Sequence, residues 1–322
     1  MAGITDFAFR SFMKKLDASV VVTELISATG IEYKSERTIQ LMKFDDSQRP
    51  IGIQLFGEDP QILARAARFA QEQGCDFVDL NFGCPVPKVV KKGGGSAILK
   101  DLVQLQKVLS TVKAAIDIPL TIKIRTGWDQ NTRNATEVCN IAFNEGITWV
   151  AIHGRTRAQG YAGLSDWDYI AEVKSRSRLP ILGNGDIHSA EHAMQKLTES
   201  GCDGVLIGRG CLKNPLIFQQ AYRLWQKQEV AAQADFNLDE IYKKLKLEMQ
   251  ETYSEQILSL QLKKFASWFS AGYPGAAAFR KEIFQMTESE TIFDRALNFF
   301  QNIKNSVQLD TSREGFLMGG HG

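Results

Sequence analysis

Asn81-Phe82-Gly83-Cys84-Pro85 follows a short apolar run and leads into Lys88, Lys91, Lys92 and the triplet Gly93-Gly94-Gly95. A thiol with its ordinary pKa near 8.5 stays roughly 97% protonated at neutral pH, so Cys84 suits giving a proton better than attacking. The glycine- and lysine-rich stretch behind it is built to close over a ligand as a lid. Lys123 ends Leu120-Thr121-Ile122-Lys123 between apolar neighbours. Such a lysine can form a Schiff base or stabilise an anion. His153 closes Ala151-Ile152-His153 and introduces Gly154-Arg155-Thr156-Arg157. Two further turns, Gly183-Asn184-Gly185-Asp186 and Gly208-Arg209-Gly210, let backbone N–H groups approach an anion, which points to a phosphorylated ligand. Neither G-x-G-x-x-G nor G-x-x-x-x-G-K-[ST] occurs, so no Rossmann site or P-loop is expected. His188 and His192 stand four apart without a third ligand in view, and no metal is expected there.

These residues need elements to hold them. Apolar, β-branched runs recur at 19–23, 51–56, 77–80, 120–124, 149–152, 180–182 and 204–207. Segments of helical spacing lie between them at 60–73, 102–115, 134–144 and 189–199, the first opened by Asp59-Pro60, an N-cap followed by proline. Strand and helix in alternation argue for parallel strands with helical crossovers, an α/β fold of the TIM (β/α)8 type. Glu24, Gln54, Asn81, Lys123, His153, Asn184 and Gly208-Arg209-Gly210 are then expected at the strand C-termini, on the one face where such barrels build active sites. Seven strands are counted. An eighth would end at Met1-Ala2, so the first barrel strand reads as truncated.

After Arg209 the rhythm changes. A helix is expected from Asn214-Pro215 to Trp225 and a linker at 229–235. Over 238–304 the pattern is helical only, broken at Gly272-Tyr273-Pro274-Gly275, as befits a small all-α domain. The expected domains are thus 1–228, 235–308 and a disordered tail at 309–322. With 38 Lys+Arg against 37 Asp+Glu the net charge is +1, which excludes a uniformly basic nucleic-acid coat but not local basic patches. No apolar run approaches the roughly 18 residues that span a bilayer. The beginning lacks a signal-peptide pattern, and Cys75, Cys84, Cys139, Cys202 and Cys211 form no C-x-x-C pair, so reduced thiols in a cytoplasmic protein are expected. Nothing in the chain calls for a membrane or an obligate protein partner.

Together the motifs resemble the tRNA-dihydrouridine synthases, nearest to the bacterial B-type enzyme. Those that carry the likeness are Met1-Ala2-Gly3-Ile4-Thr5-Asp6, Asn81-Phe82-Gly83-Cys84-Pro85, Lys123-Ile124-Arg125-Thr126-Gly127-Trp128, His153-Gly154-Arg155-Thr156-Arg157, Gly183-Asn184-Gly185-Asp186 and Ile207-Gly208-Arg209-Gly210. The resemblance implies a flavin-bearing barrel followed by a helical tRNA-binding domain, with FMN reduced by NADPH and in turn reducing the C5=C6 bond of uridine in tRNA. On that likeness Cys84 is the proton donor to C5. Gln54, Lys123 and His153 face the flavin ring, with Met1 and Ala2 at the end of a flavin-contacting segment. Asn184, Gly185, Asp186, Gly208 and Arg209 hold the ribityl phosphate. Asn81, Lys88 and Arg155 are expected to meet the substrate. Gln261-Leu262-Lys263-Lys264-Phe265-Ala266-Ser267-Trp268 departs from the family in carrying Phe265 where histidine is usual.

Basic loops support the RNA reading. Lys88, Lys91, Lys92 and Lys100 lie in a stretch without an acid, as do Lys263, Lys264, Arg280 and Lys281, the latter interspersed with Trp268, Phe269 and Tyr273. Solvated helix faces would account equally well for that second group. The alternatives are an FMN barrel acting on a free pyrimidine, similar to dihydroorotate dehydrogenase, a flavin-free aldolase or isomerase using Lys123, and an inactive RNA-binding module.

Overall fold

Alternating apolar residues, punctuated by Pro, Gly and Asp, form eight strands in the computed structural model, which describes residues 1–230, 237–304 and 306. They are β1 Val21–Val22, β2 Ile26–Ser27, β3 Ile51–Phe56, β4 Phe77–Phe82, β5 Leu120–Arg125, β6 Val150–His153, β7 Ile181–Asn184 and β8 Gly204–Leu206. Every pairing is parallel, in the order β1-β3-β4-β5-β6-β7-β8, with β2 also on β3. Parallel neighbours require crossovers, and helices Pro60–Glu72, Leu102–Lys113, Ala135–Asn144, Trp167–Arg176 and Ala190–Ser200 supply them. Their starts follow local chemistry. Asp59 accepts the Gln61 and Ile62 N–H groups before Pro60, and Ser189 accepts that of His192.

The architecture is therefore α/β of the TIM-barrel type. Ile53, Leu55, Val78, Leu80, Ile122, Ile124 and Ile152 are sealed in the apolar core. The intervening positions Gln54, Asp79, Asn81, Lys123, Arg125 and His153 take the opposite face, as a two-residue period demands.

Two details differ from the sequence reading. Gln54, Asn81 and Lys123 lie within their strands rather than at the ends, because the β3, β4 and β5 ladders run on to Phe56, Phe82 and Arg125. Alternation continues past each polar residue, so polarity alone did not mark the strand end. The two-residue β2, just past Glu24, is an addition. Among the described residues no pairing joins β1 to β8. Met1 to Asp6 form turns there instead, with the Met1 carbonyl accepting from Ile4 and Thr5 at 3.1 and 3.0 Å.

Helices Gly210–Lys213 and Ile217–Trp225 end the β/α part. Leu238–Gln250, Glu255–Phe269, Ala276–Ile283 and Ser289–Asn302 form the all-α part, separated at the expected break by Gly272 and Gly275, both at positive φ. Its core is aromatic: Phe279 stacks on Phe299 at 4.1 Å, and Tyr242 packs against Phe269, Phe293 and Phe300. Phe265 is buried and stacks on Phe9 of helix Phe7–Lys15 at 5.4 Å, so it joins the two parts by packing. The residues read as an RNA-facing mixture divide accordingly. Lys263, Trp268, Phe269 and Tyr273 are buried, whereas Lys281 is exposed.

Of the expected linker, 231–235 lie outside the described residues, as does the tail 309–322. Among the described residues no helix is long and apolar enough to cross a membrane, and no His/Cys/Asp/Glu group is arranged to hold a metal.

Candidate active site

The sheet register gathers the polar positions into rows. Gln54 stands opposite Asp79, Asn81 opposite Lys123, and Arg125 opposite His153, which in turn faces Asn184. Side chains on one face of adjacent strands are neighbours, so residues far apart in sequence converge.

Cys84 sits just beyond β4, half-buried, while the other four cysteines are fully buried. Its loop is tied on both sides. Asn81 Oδ1 accepts the N–H groups of Gly83 and Cys84 at 3.1 and 2.9 Å, and the Cys84 carbonyl accepts from Ser96 Oγ at 2.9 Å. Burial pushes the Cys84 thiol up, outweighing the Val86 N–H and the Arg125 and Lys123 charges, so the thiol keeps its proton at neutral pH. That is the state a proton donor needs. Asn81 is itself buried and gives one amide hydrogen to Gln54, leaving the other for a ligand.

Lys123 has no hydrogen-bond or ion-pair partner among the described residues. Burial, reinforced by Arg125, lowers its pKa to about 8, against the pull of Asp79 and Cys84. A cation held in this way is poised to receive a ligand's negative charge. His153 is buried, and desolvation with the charges of Lys123, Arg125, Arg155 and Arg209 holds its pKa well below the ordinary value, so the ring is neutral.

The glycine turns meet at the far side. Gly185 adopts φ +128°, and a Cβ there would collide with the Ser165 side chain. Asp186 follows at φ 53° and is clasped by Arg155, with Arg209 Nη2 at 3.5 Å and the Ser165 N–H at 2.8 Å. Although burial pushes its carboxyl up, Arg155, Ser165 and Arg209 together hold it below the usual range. Asn184 Nδ2 donates to the Leu206 carbonyl at 2.7 Å and so links β7 to β8. Gly208 is open: only Met1 Sδ, at 3.8 Å, approaches the place of a Cβ. The backbone N–H groups of Gly185 and Gly208 meet no acceptor among the described residues. Unsatisfied donors, a bare glycine surface and the Arg209 guanidinium fit the phosphate of a mononucleotide.

Met1 thus reaches the same mouth through its side chain, while Ala2 is exposed. Lys88 is exposed on the short helix Pro87–Val90 above Cys84. Arg155, expected on an open basic loop, is buried, its guanidinium held by Asp186, Ser165 and the carbonyls of Ala162 and Gly163.

Sequence reasoning missed Asp79, Arg125, Thr121 and Tyr161. Buried Arg125 donates to the carbonyls of Gly83, Thr156 and Gly160, binding the cysteine loop to the loop after β6. The Tyr161 ring lies 5.0 Å from the Arg209 guanidinium and 6.5 Å from His153. Asp79 and Arg125 stand two residues from Asn81 and Lys123, so strand periodicity was a usable signal for both. Tyr161 carries no such signal.

Comparison with known proteins completes the picture. Residues 1–308 match the family described as Dihydrouridine synthase (Dus). The chain is 37% identical over 303 residues to a Synechocystis protein named probable tRNA-dihydrouridine synthase 1, covering 92% of this chain and 85% of that one. It is 34% identical over 307 residues to tRNA-dihydrouridine synthase B of Pseudomonas aeruginosa, covering 95% and 92%. Among solved structures, an amine oxidase acting on 6-hydroxypseudooxynicotine from Pseudomonas geniculata N1 aligns with a TM-score of 0.56 at 12% identity, over 94% of this chain and 62% of that one. Histamine dehydrogenase from Rhizobium sp. 4-9 aligns at 0.55 and 10%, over 92% and 59%. The chain thus spans about three fifths of each of these structures, and the likeness is one of fold.

Proposed function

The chain belongs to the dihydrouridine synthase family, and from that membership we propose that it is a flavin-dependent oxidoreductase that reduces the C5=C6 bond of uridine in tRNA. Within this reading the cofactor is FMN, NADPH is the reductant, and the reaction adds one hydride and one proton to the base. Bound reduced FMN supplies the hydride to C6. The observation that carries the proposal is a protonated, half-buried Cys84 at the same sheet end as the partnerless Lys123 cation and the glycine turns at Gly185 and at the open Gly208.

Conjugation of C5=C6 with the C4 carbonyl directs the hydride to C6 and leaves C5 to be protonated. Cys84 gives that proton, and its raised pKa keeps it loaded until negative charge builds on the base. Lys123 offsets the negative charge of the reduced cofactor. Gln54 and neutral His153, with Met1 and Ala2, would hold the flavin ring. Asn184, Gly185, Gly208 and Arg209 would hold its phosphate. Asp186, its carboxylate already clasped by Arg155, acts by shaping that turn. Asn81 offers its remaining N–H to the uracil, and exposed Lys88 meets the RNA backbone. A base must leave its stack to reach this mouth.

The test is direct. Flavin-loaded protein is mixed with NADPH and unmodified transcribed tRNA, and the digested RNA is assayed for dihydrouridine. Dihydrouridine formation that requires both NADPH and flavin supports the reading. NADPH oxidation with no dihydrouridine in any tRNA tried overturns it in favour of a free pyrimidine or another acceptor.

A further inference from the structure

Four side chains form one hydrogen-bonded line from the site's floor to the cysteine loop. Thr121 Oγ1 donates to Asp79 Oδ1 at 2.6 Å, and Gln54 Nε2 donates to Asp79 Oδ2 at 2.7 Å. Asn81 Nδ2 donates to Gln54 Oε1 at 2.9 Å. Asn81 Oδ1 then accepts the N–H of Gly83 and of Cys84. All four side chains are buried.

The line has a direction, and both of its ends impose it: the Asp79 carboxylate accepts at one, and the Gly83 and Cys84 N–H groups donate at the other. A carboxylate only accepts, so Gln54 must turn its nitrogen towards Asp79 and its oxygen away. Asn81 must then meet that oxygen with its own nitrogen, which aims its oxygen at the cysteine backbone. Flipping either amide would set two acceptors or two donors face to face in a buried site. The direction survives protonation of Asp79, because the Thr121 hydroxyl can accept as well as donate.

We propose that Asp79 is a positioning residue: by anchoring Gln54, and through it the Asn81 amide nitrogen, it keeps the Asn81 oxygen on the Gly83 and Cys84 N–H groups and holds the Cys84 backbone where the thiol reaches its target. The proposal rests on the reading of Cys84 as proton donor. It also predicts an unusual rescue. Asp79→Asn keeps the line intact, since the new amide can accept from Gln54 and donate to Thr121. Asp79→Leu removes the acceptor, so Gln54 is free to swing away and Asn81 loses its buttress, held only by the Gly83 and Cys84 N–H groups.

The experiment uses the flavin-saturated full chain and three measurements on each variant: flavin reduction by NADPH without RNA, single-turnover dihydrouridine formation, and iodoacetamide alkylation of Cys84 followed by peptide mass spectrometry. For Asp79→Leu we expect the uridine step to fall by about ten- to a hundredfold, as small misplacements of reacting groups do, and by clearly more than flavin reduction, which also feels the release of Gln54. Cys84 alkylation should rise several-fold. Asp79→Asn should match wild type within about threefold in all three. Should Asp79→Leu not fold, Asp79→Ser, too short to reach Gln54, takes its place with the same expectation. A uridine step unchanged in Asp79→Leu overturns the proposal, and so does Asp79→Asn falling as far as Asp79→Leu. If wild-type protein makes no dihydrouridine, the functional reading fails while the alkylation comparison still judges the line itself.

Discussion

Arg155 Nη1 and Nη2 donate to the two carboxylate oxygens of Asp186 at 2.9 and 2.7 Å, and the two side chains are only 3% and 13% exposed. The pair spans two strand ends: Arg155 follows β6, and Asp186 follows β7. It holds two consecutive residues at positive φ, Gly185 and Asp186, in the turn after β7. An aspartate rarely adopts that conformation without help, and the bidentate guanidinium provides it.

Removing Arg155 leaves the Asp186 carboxylate only the Ser165 N–H and the more distant Arg209 guanidinium. Arg155→Met is therefore expected to destabilise the protein by about 3–5 kcal/mol, while Arg155→Met with Asp186→Leu should be milder than either substitution's loss added to the other's. Urea denaturation of the four proteins measures both quantities. Additive losses would show that the pair does not act as a unit.

The two turn glycines should respond oppositely. Gly185→Ala places a methyl against Ser165 at φ +128° and should lower the melting temperature. Gly208→Ala enters open space and should leave the melting temperature unchanged, but it should weaken FMN binding by crowding the anion's approach. Thermal melts and flavin titration together check the contrast. Equal FMN affinity in Gly208→Ala and wild type would remove Gly208 from the phosphate site.

Cys84→Ala should bind FMN and accept electrons from NADPH normally. Uridine reduction should drop by about 10²–10⁴, the usual contribution of a positioned general acid. Rapid-mixing absorbance follows the first half of the reaction, and dihydrouridine assay follows the second. Normal turnover on tRNA would exclude Cys84 as the acid.

Lys123 makes stability depend on pH in the absence of flavin. Its pKa is about 8 in the folded chain against 10.5 for an ordinary lysine, so between these values the unfolded chain holds more protons. The penalty of the buried charge is then fully present below about pH 8 and fades as pH rises towards 10.5. Lys123→Met should be the more stable protein near pH 7, with the gap clearly narrower at about pH 9.5 and closing as pH passes 10.5. Denaturation midpoints at the two values decide it. A gap that stays constant would mean that Lys123 keeps its proton throughout.

Much of the site was legible because strand periodicity and turn chemistry are local. Hydrophobic runs of the right spacing announced β1 and β3 to β8, Asp59-Pro60 announced a helix start, and Asn81, Cys84, Lys123, His153, Gly185 and Gly208 stood out by residue type and place. Position along a strand was less legible. Whether Lys123 ends β5 or lies two residues inside it depends on how far β4 and β6 extend beside it, and the chain carries that information elsewhere.

Local pattern, then, determined the βα rhythm, the helical part after it and the short roll of reactive groups, since each follows from the φ/ψ preferences and side-chain chemistry of adjacent residues. Only the tertiary structure decided what those groups do to one another. It turned Arg155 inward onto Asp186, buried Phe265 against Phe9, and strung Thr121, Asp79, Gln54 and Asn81 into a single line beneath Cys84. Such pairings join residues that are 25 to 42 positions or more apart, and no local preference specifies them. They arise when strand register brings the partners within hydrogen-bond reach and burial removes the water that would otherwise satisfy each one separately.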